Sequence, residues 1–199
     1  MKINLTRKSK QTCNVERLSP TKRKSSIEYI VRTARSEDID EVIRMQKTLQ
    51  DDGIKVNSDL WKVEGDYVTY LEDYYKNMFK AEETKLVVAQ SKNTGCLIGM
   101  GLGRIFRHNN IAPNISGEIT DVWIEPQHRR KGIASKMISE LVVLFKENQV
   151  EHLTVSYIKG NQKAEAFWRS FKFRPVLETA VLSVKEFEQE MEPQSRNPA

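Results

Sequence analysis

The spacing of apolar residues predicts a mixed α/β domain. Residues 28–34 alternate between apolar and polar, as in a strand, and apolar residues after Ser36 recur at helical spacing. Ser36 is a suitable N-cap for that helix. We expect the polar segment 51–53 to end it, and the next apolar period predicts a second helix over about residues 66–81.

The second half of the chain predicts a hairpin followed by strands that alternate with helices. The hairpin strands are 86–89 and 96–104, and the later elements are a strand 117–124, a helix 132–148, a strand 153–157, a helix 162–171 and a last strand or strand pair 173–184. This order predicts crossover connections and helices that pack around one central sheet.

Charge divides the chain into a basic tail and a slightly acidic body. Of the 32 basic and 27 acidic residues, eight basic and one acidic lie in residues 1–26, so 24 basic and 26 acidic remain. We therefore predict a tail at 1–26, one domain at 27–186 and a C-terminal tail at 187–199. The basic tail lacks the apolar core of a secretory signal.

The composition bears on compartment and partners. No apolar stretch is long enough to span a membrane, so we expect a cytoplasmic protein with no membrane partner. The three histidines and two cysteines lack the spacing of a metal site, so no metal is expected. Nucleic acid is a disfavoured partner, because the basic residues are not interleaved with aromatic ones. The sequence allows a homodimer.

A basic turn joins the strand that ends at Ile124 to the helix that begins near Gly132. The first amides of a helix have no intrahelical partner and carry partial positive charge, so they favour an anion. Arg129, Arg130 and Lys131 at a helix start would be unfavourable without such an anion. The segment therefore predicts a phosphate-binding turn.

Four segments resemble the GNAT superfamily of N-acetyltransferases. Arg129, Gly132 and Ala134 match its (Gln/Arg)-x-x-Gly-x-(Gly/Ala) signature. The other segments are Ile27–Asp38, which resembles the first strand and helix start, the hairpin 86–104 with its glycine-rich second strand, and Asn161–Pro175, which resembles the closing motif. The resemblance covers about residues 27–186.

The resemblance implies a GNAT (acyl-CoA N-acyltransferase) fold: a central mixed, mostly antiparallel sheet with a splayed fourth and fifth strand and flanking helices. It also implies that acetyl-CoA is the co-substrate and that an amine acceptor attacks it directly. The coenzyme residues that it implies are Val122, Trp123 and Ile124 for the pantetheine and thioester, Arg129, Arg130, Lys131, Gly132, Ile133, Ala134 and Ser135 for the pyrophosphate, and Asn161, Ala164, Phe167 and Trp168 along the arm.

Two carboxylates are candidates for the general base. Glu118 and Asp121 lie on the strand that, by the resemblance, should border the acceptor site, and their alternation puts only one of them in the cleft unless a bulge intervenes. We favour Glu118. The family commonly has Tyr, the acid for the coenzyme A thiolate, at position 168, and an indole N–H cannot replace it. Tyr157 is the candidate replacement.

The chain departs from the family at two more positions, where Arg130 and Lys172 replace common glycines. The segment between the first strand and the hairpin, which we expect to bound the acceptor site, is acidic and aromatic, which suits a cationic amine. Its candidate substrate-binding residues are Trp61 and Tyr67. A small-molecule amine is the favoured acceptor. The alternatives are a protein (N-terminal or lysine) acetyltransferase, a non-catalytic acyl-CoA-binding module and a basic-tailed nucleic-acid binder.

Overall fold

The computed structural model describes residues 27–58, 63, 65–109 and 112–191. Its strands are β1 Tyr29–Thr33, β2 Thr84–Ser91, β3 Leu97–Arg107, β4 Ile115–Ile119, β5 Trp123–Ile124 and β6 His152–Val155. Its α-helices are α1 Ile39–Val56, α2 Tyr67–Met78, α3 Ile133–Glu147, α4 Gln162–Ser170 and α5 Val184–Met191. Short 3-10 turns, Ser36–Asp38 and Pro126–His128, precede α1 and α3.

The strands form one mixed sheet in the order β1-β2-β3-β4-β6, and β5 pairs with β3 beyond the end of β4. All pairs are antiparallel except β4 with β6, which is parallel. The predicted fold class is therefore confirmed, including the flanking helices and the mostly antiparallel sheet.

The core has one layer on each face of the sheet, because β2 and β3 are buried on both sides. Val42 and Met45 of α1 and Leu71 and Tyr75 of α2 fill one layer. The other contains the apolar face of α3 together with Trp168 of α4. Helices α1 and α2 therefore lie on one face of the sheet, and α3 and α4 lie on the other.

The predicted end of the first helix was wrong. Helix α1 continues through Gly53 to Val56. A glycine inside a helix costs roughly 1 kcal/mol relative to alanine, but here a Cβ on Gly53 would lie 3.1 Å from Ile158 Cδ1. The glycine therefore admits a close contact from the β6–α4 connection.

The predicted last strand was also wrong. Residues 173–183 form no strand, and Val176 and Leu177 are 83% and 86% exposed. The segment leads instead into α5, where Ser183 and Glu186 form a reciprocal capping box. Across the described ranges, no helix has the length and apolar character needed to cross a bilayer.

Candidate active site

The site is built around a bulge in the strand predicted over 117–124. Along β3 the register changes from Gly103 opposite Ile119 to Gly99 opposite Ile124, a shift of one residue. Ile119 consequently faces the α3 layer, whereas Trp123 faces the α1–α2 layer. The strand is thus divided into β4 and β5, with Thr120, Asp121 and Val122 between them.

The bulge coincides with the end of pairing between β4 and β6, whose last pair is Ile119 with Val155. The Glu125 amide donates to the Ile98 carbonyl of β3 at 3.0 Å. Since amides alternate between the two sides of an antiparallel strand, the Ile124 amide points away from β3. It faces the gap where the sheet splays. An amide in this position can donate a hydrogen bond to a thioester carbonyl.

The turn before α3 has the backbone of an anion site. Gly132 is the N-cap in the left-handed region, with φ of 76°, and Arg130 is also left-handed, with φ of 62°. The first helical hydrogen bond of α3 runs from the Lys136 amide to the Gly132 carbonyl. The amides of Ile133, Ala134 and Ser135 precede that bond, so they have no intrahelical acceptor.

Arg129 holds the turn against β5. Its Nε donates to the Ile124 carbonyl at 2.9 Å, and its guanidinium carbon lies 4.5 Å from the centre of the Trp123 ring. Lys131 is likewise engaged, because its Nζ donates to the Gln127 carbonyl at 3.0 Å. Arg129 and Lys131, two of the three basic side chains predicted to bind phosphate, therefore also stabilise the turn itself.

Both candidate carboxylates lie on the α1–α2 side of the sheet. Glu118 pairs in register with Arg104 of β3, and Arg104 shares a face with Leu102 of the α1–α2 layer. Asp121 accepts a hydrogen bond from Gln46 Nε2 of α1 at 3.1 Å and another from the Thr120 hydroxyl at 3.2 Å. The bulge thus brings both groups to one face.

Burial raises the pKa of Asp121 above its usual range. Hydrogen bonds from Gln46 and Thr120 and the charge of Arg104 oppose that shift, whereas the charge of Glu118 adds to it. A half-buried carboxyl with a raised pKa is the kind of group that general base catalysis uses.

Tyrosines from α2 form the wall above these carboxylates. The rings of Tyr67, Tyr70 and Tyr74 stack in series, with centroids 6.0 and 6.1 Å apart, and Tyr75 meets Tyr74 edge-on at 5.2 Å. Burial raises the pKa of Tyr67, Tyr74 and Tyr75, and the Asp121 charge raises each further. These phenols therefore remain neutral at pH 7.

The predicted residues near α4 serve mainly in packing and capping. Trp168 is buried against Phe167 and Phe173, and Tyr157 packs at the edge of the same layer, with Ala164 nearby. Asn161 caps α4 by accepting the Ala164 amide at 3.1 Å. Trp61 lies outside the described residues.

Sequence reasoning missed Gln46, which positions Asp121, and Tyr29, whose hydroxyl lies 4.0 Å from where a Cβ on Gly132 would be. Gln46 follows Val42 and Ile43 at helical spacing, so it is a polar residue within an apolar stripe. That interruption was the available signal. No comparable signal marks Tyr29, because its approach to the turn depends on tertiary packing.

The family model described as "Acetyltransferase (GNAT) family" matches residues 44–173. Among solved structures, a tetramutant of a Bacillus halodurans protein is 17% identical, with a TM-score of 0.69, and the match covers 78% of this chain and 99% of that one. A comparison with curated proteins finds no match.

Two further solved structures are similar in fold. A predicted acetyltransferase with acetyl-CoA from Clostridium acetobutylicum is 22% identical, with a TM-score of 0.64, covering 80% of this chain and 98% of that one. Glucosamine-6-phosphate N-acetyltransferase from Arabidopsis thaliana is 12% identical, with a TM-score of 0.60, and the match covers 79% of this chain and 99% of that one.

Proposed function

The chain belongs to the GNAT family of acetyltransferases, and on that basis we propose that it transfers an acetyl group from acetyl-CoA to a primary amine of a small molecule. The observation that carries the proposal is that the bulge at 120–122 occurs together with the left-handed turn before α3. The bulge supplies an Ile124 amide that points away from β3, and the turn supplies helix-start amides without an intrahelical acceptor. These amides suit a thioester carbonyl and a phosphate.

The coenzyme would lie across these two features. The amides of Ile133, Ala134 and Ser135 and the turn residues Arg129 to Gly132 would bind the pyrophosphate, with the Tyr29 hydroxyl close by. The Ile124 amide would hydrogen-bond to the thioester carbonyl and stabilise the oxyanion that forms on it. Asn161 would reach the pantetheine arm through its Nδ2, because its Oδ1 caps α4.

The acceptor would approach from the α1–α2 face. Its nitrogen must be neutral before it attacks the thioester carbonyl, so a nearby base has to take one proton from the ammonium form. Sequence alone favoured Glu118, but the raised pKa of Asp121 and its bond from Gln46 move our proposal to Asp121. Glu118 would then contribute negative charge that attracts the ammonium.

The leaving thiolate would collect its proton from the attacking amine, directly or through water. Trp168 cannot supply one, and Tyr157 stays the candidate side chain for this step. The buried Trp168 also favours the second candidate function, an acyl-CoA-binding module without turnover.

Thiol release from acetyl-CoA over a panel of primary amines separates the two functions. Turnover with any amine of the panel supports the transferase, whereas acetyl-CoA binding with no turnover supports the binding module.

We expect Asp121→Asn to lower kcat/KM by about 10²-fold and to remove the acidic limb of the pH profile, since a protonated carboxyl cannot accept the proton. Glu118→Gln should keep that limb. Loss of the limb in Glu118→Gln alone would make Glu118 the base.

We further propose that the protein is cytoplasmic and that it forms a homodimer. The homodimer is supported by the exposed apolar residues after Phe173.

A further inference from the structure

A groove on the acceptor side extends away from the reaction centre. It lies between the C-terminal half of α1 and the start of α2, has a volume of about 270 Å³, and is lined by Lys47, Gln50, Asp51, Val63, Gly65, Asp66, Tyr67 and Val68. Asp66 caps α2, accepting the Thr69 amide at 3.1 Å and the Thr69 hydroxyl at 2.5 Å. Asp51 is therefore the groove carboxylate best suited to a ligand.

Tyr67 connects this groove to the reaction centre. The charges of Asp121 and Asp51 both raise the pKa of its phenol. Gln46, which donates to Asp121, lies one helical turn before Gln50 of the groove lining. From Gln46 to Asp51, α1 rises about 7.5 Å. The charges of both carboxylates therefore act on the one phenol of Tyr67.

Gln46 and Tyr75, on the α1–α2 side of the sheet, each have a buried polar atom without a hydrogen-bond partner among the described residues. Gln46 is 9% exposed, and within the described part of the chain its Oε1 has no hydrogen-bond partner, nor has the hydroxyl of the buried Tyr75. Buried polar atoms are normally satisfied. Gln46 Oε1 and the Asp121 carboxylate are acceptors, which suits a ligand that brings several N–H groups.

The groove lining also includes the apolar side chains of Val63 and Val68 and the ring of Tyr67. Such a lining suits a methylene chain, and a tyrosine face attracts a cation. Lys47 opposes a cation in the groove, but its single charge is balanced by Asp51 and Asp66.

We infer that the acceptor is an aliphatic diamine or polyamine, held at its distal ammonium by Asp51 while its proximal amine reacts beside Asp121. The inference rests on the proposed acetyl transfer. The proximal ammonium gives one proton to Asp121, and its nitrogen bonds to the carbonyl carbon as the carbon–sulfur bond breaks. The nitrogen's second proton passes to the thiolate, and the distal ammonium is unchanged.

The experiment compares cadaverine and spermidine with pentylamine, which has one amine on a chain of cadaverine's length. With the full chain and saturating acetyl-CoA, we expect thiol release to show a kcat/KM at least tenfold higher for the diamine. Asp51→Asn should remove that preference through KM and leave pentylamine unaffected. Asp52→Asn is the matched control, because Asp52 lies outside the groove lining and bonds to Lys55 at 2.9 Å.

Calorimetric titration of spermidine into the protein with coenzyme A separates this inference from the proposed transfer. Equal turnover of pentylamine and cadaverine, or an Asp51→Asn variant that behaves as Asp52→Asn does, would overturn the diamine site and leave the transfer standing. Asp51-dependent spermidine binding without turnover would support the site and overturn the transfer. If spermidine does not bind and no amine is turned over, both the diamine site and the transfer are overturned.

Discussion

At the scale of single residues, the two departures from the family's glycine pattern share one conformation. Arg130 and Lys172 have φ of 62° and 70°, in the left-handed region that side chains disfavour. Lys172 follows α4 in a Schellman motif, in which its amide bonds to the Arg169 carbonyl and the Phe173 amide to the Trp168 carbonyl. Both positions therefore adopt a backbone conformation that favours glycine, without a glycine.

We accordingly expect Lys172→Gly to raise the free energy of unfolding by about 1 kcal/mol, because it relieves the left-handed strain. Chemical denaturation measures this change in the free energy of unfolding. Lys146→Gly, at a helical position in the last turn of α3, is the control and should lower stability by about 1 kcal/mol. If both substitutions destabilise equally, Lys172 is not strained.

Asp121 is a second residue whose environment opposes stability. Its pKa is higher in the folded chain than in the unfolded one, so the folded state binds its proton more tightly and stability falls as the pH rises through the interval between the two values. Asp121→Asn should therefore be more stable than the parent at pH 7, with the difference vanishing in acid. Urea midpoints across pH measure this, and a less stable variant at pH 7 would contradict it.

At the scale of elements, regular apolar spacing was predictable and irregular backbone was not. Helix α3 was predicted within one residue at each end, since its buried face includes Met137, Ile138, Leu141 and Phe145 at helical spacing. The bulge left no pattern of its own, because it depends on how β4 and β5 pair with β3. The β-branched residues of 173–184 favoured a strand, but strand formation needs a partner.

The contact between the turn and β5 gives an element-scale prediction. Arg129→Lys keeps the charge but loses the planar stacking on Trp123 and the Nε bond to Ile124. We expect it to lower stability by about 1 kcal/mol and to weaken acetyl-CoA binding through the displaced turn. Arg174→Lys, at an exposed position outside the turn, is the control. Matching melting temperatures and affinities in the two variants would show that Arg129 does not anchor the turn.

At the scale of the whole molecule, exposed apolar surface is concentrated at the C-terminal end of the described chain. The side chains are Val176, Leu177, Val181, Leu182, Val184, Phe187 and Met191. Exposed apolar residues concentrated in one segment are typical of an interaction site, and the homodimer that we propose would cover them. The basic tail and the boundary at residue 26 stay predictions.

Light scattering at micromolar concentration should therefore give a mass of about twice the 23.1 kDa of one chain. Leu177→Asp should produce the monomer, because it puts a charge into the covered surface. Thr179→Asp adds the same charge without removing an apolar side chain and should leave more dimer. A parent that is monomeric throughout the concentration range would overturn the homodimer.

Calorimetric titration of acetyl-CoA into Gly132→Asp tests whether the turn before α3 holds acetyl-CoA. The substitution places a negative charge where the pyrophosphate would bind, and we expect the affinity to fall at least about thirtyfold, or roughly 2 kcal/mol. Gly95→Asp is the matched control, because Gly95 has nearly the same φ, 74° against 76°, with nothing within 4 Å of a Cβ there. Parental affinity in Gly95→Asp with the thirtyfold loss in Gly132→Asp is the predicted result, and parental affinity in a folded Gly132→Asp would contradict it.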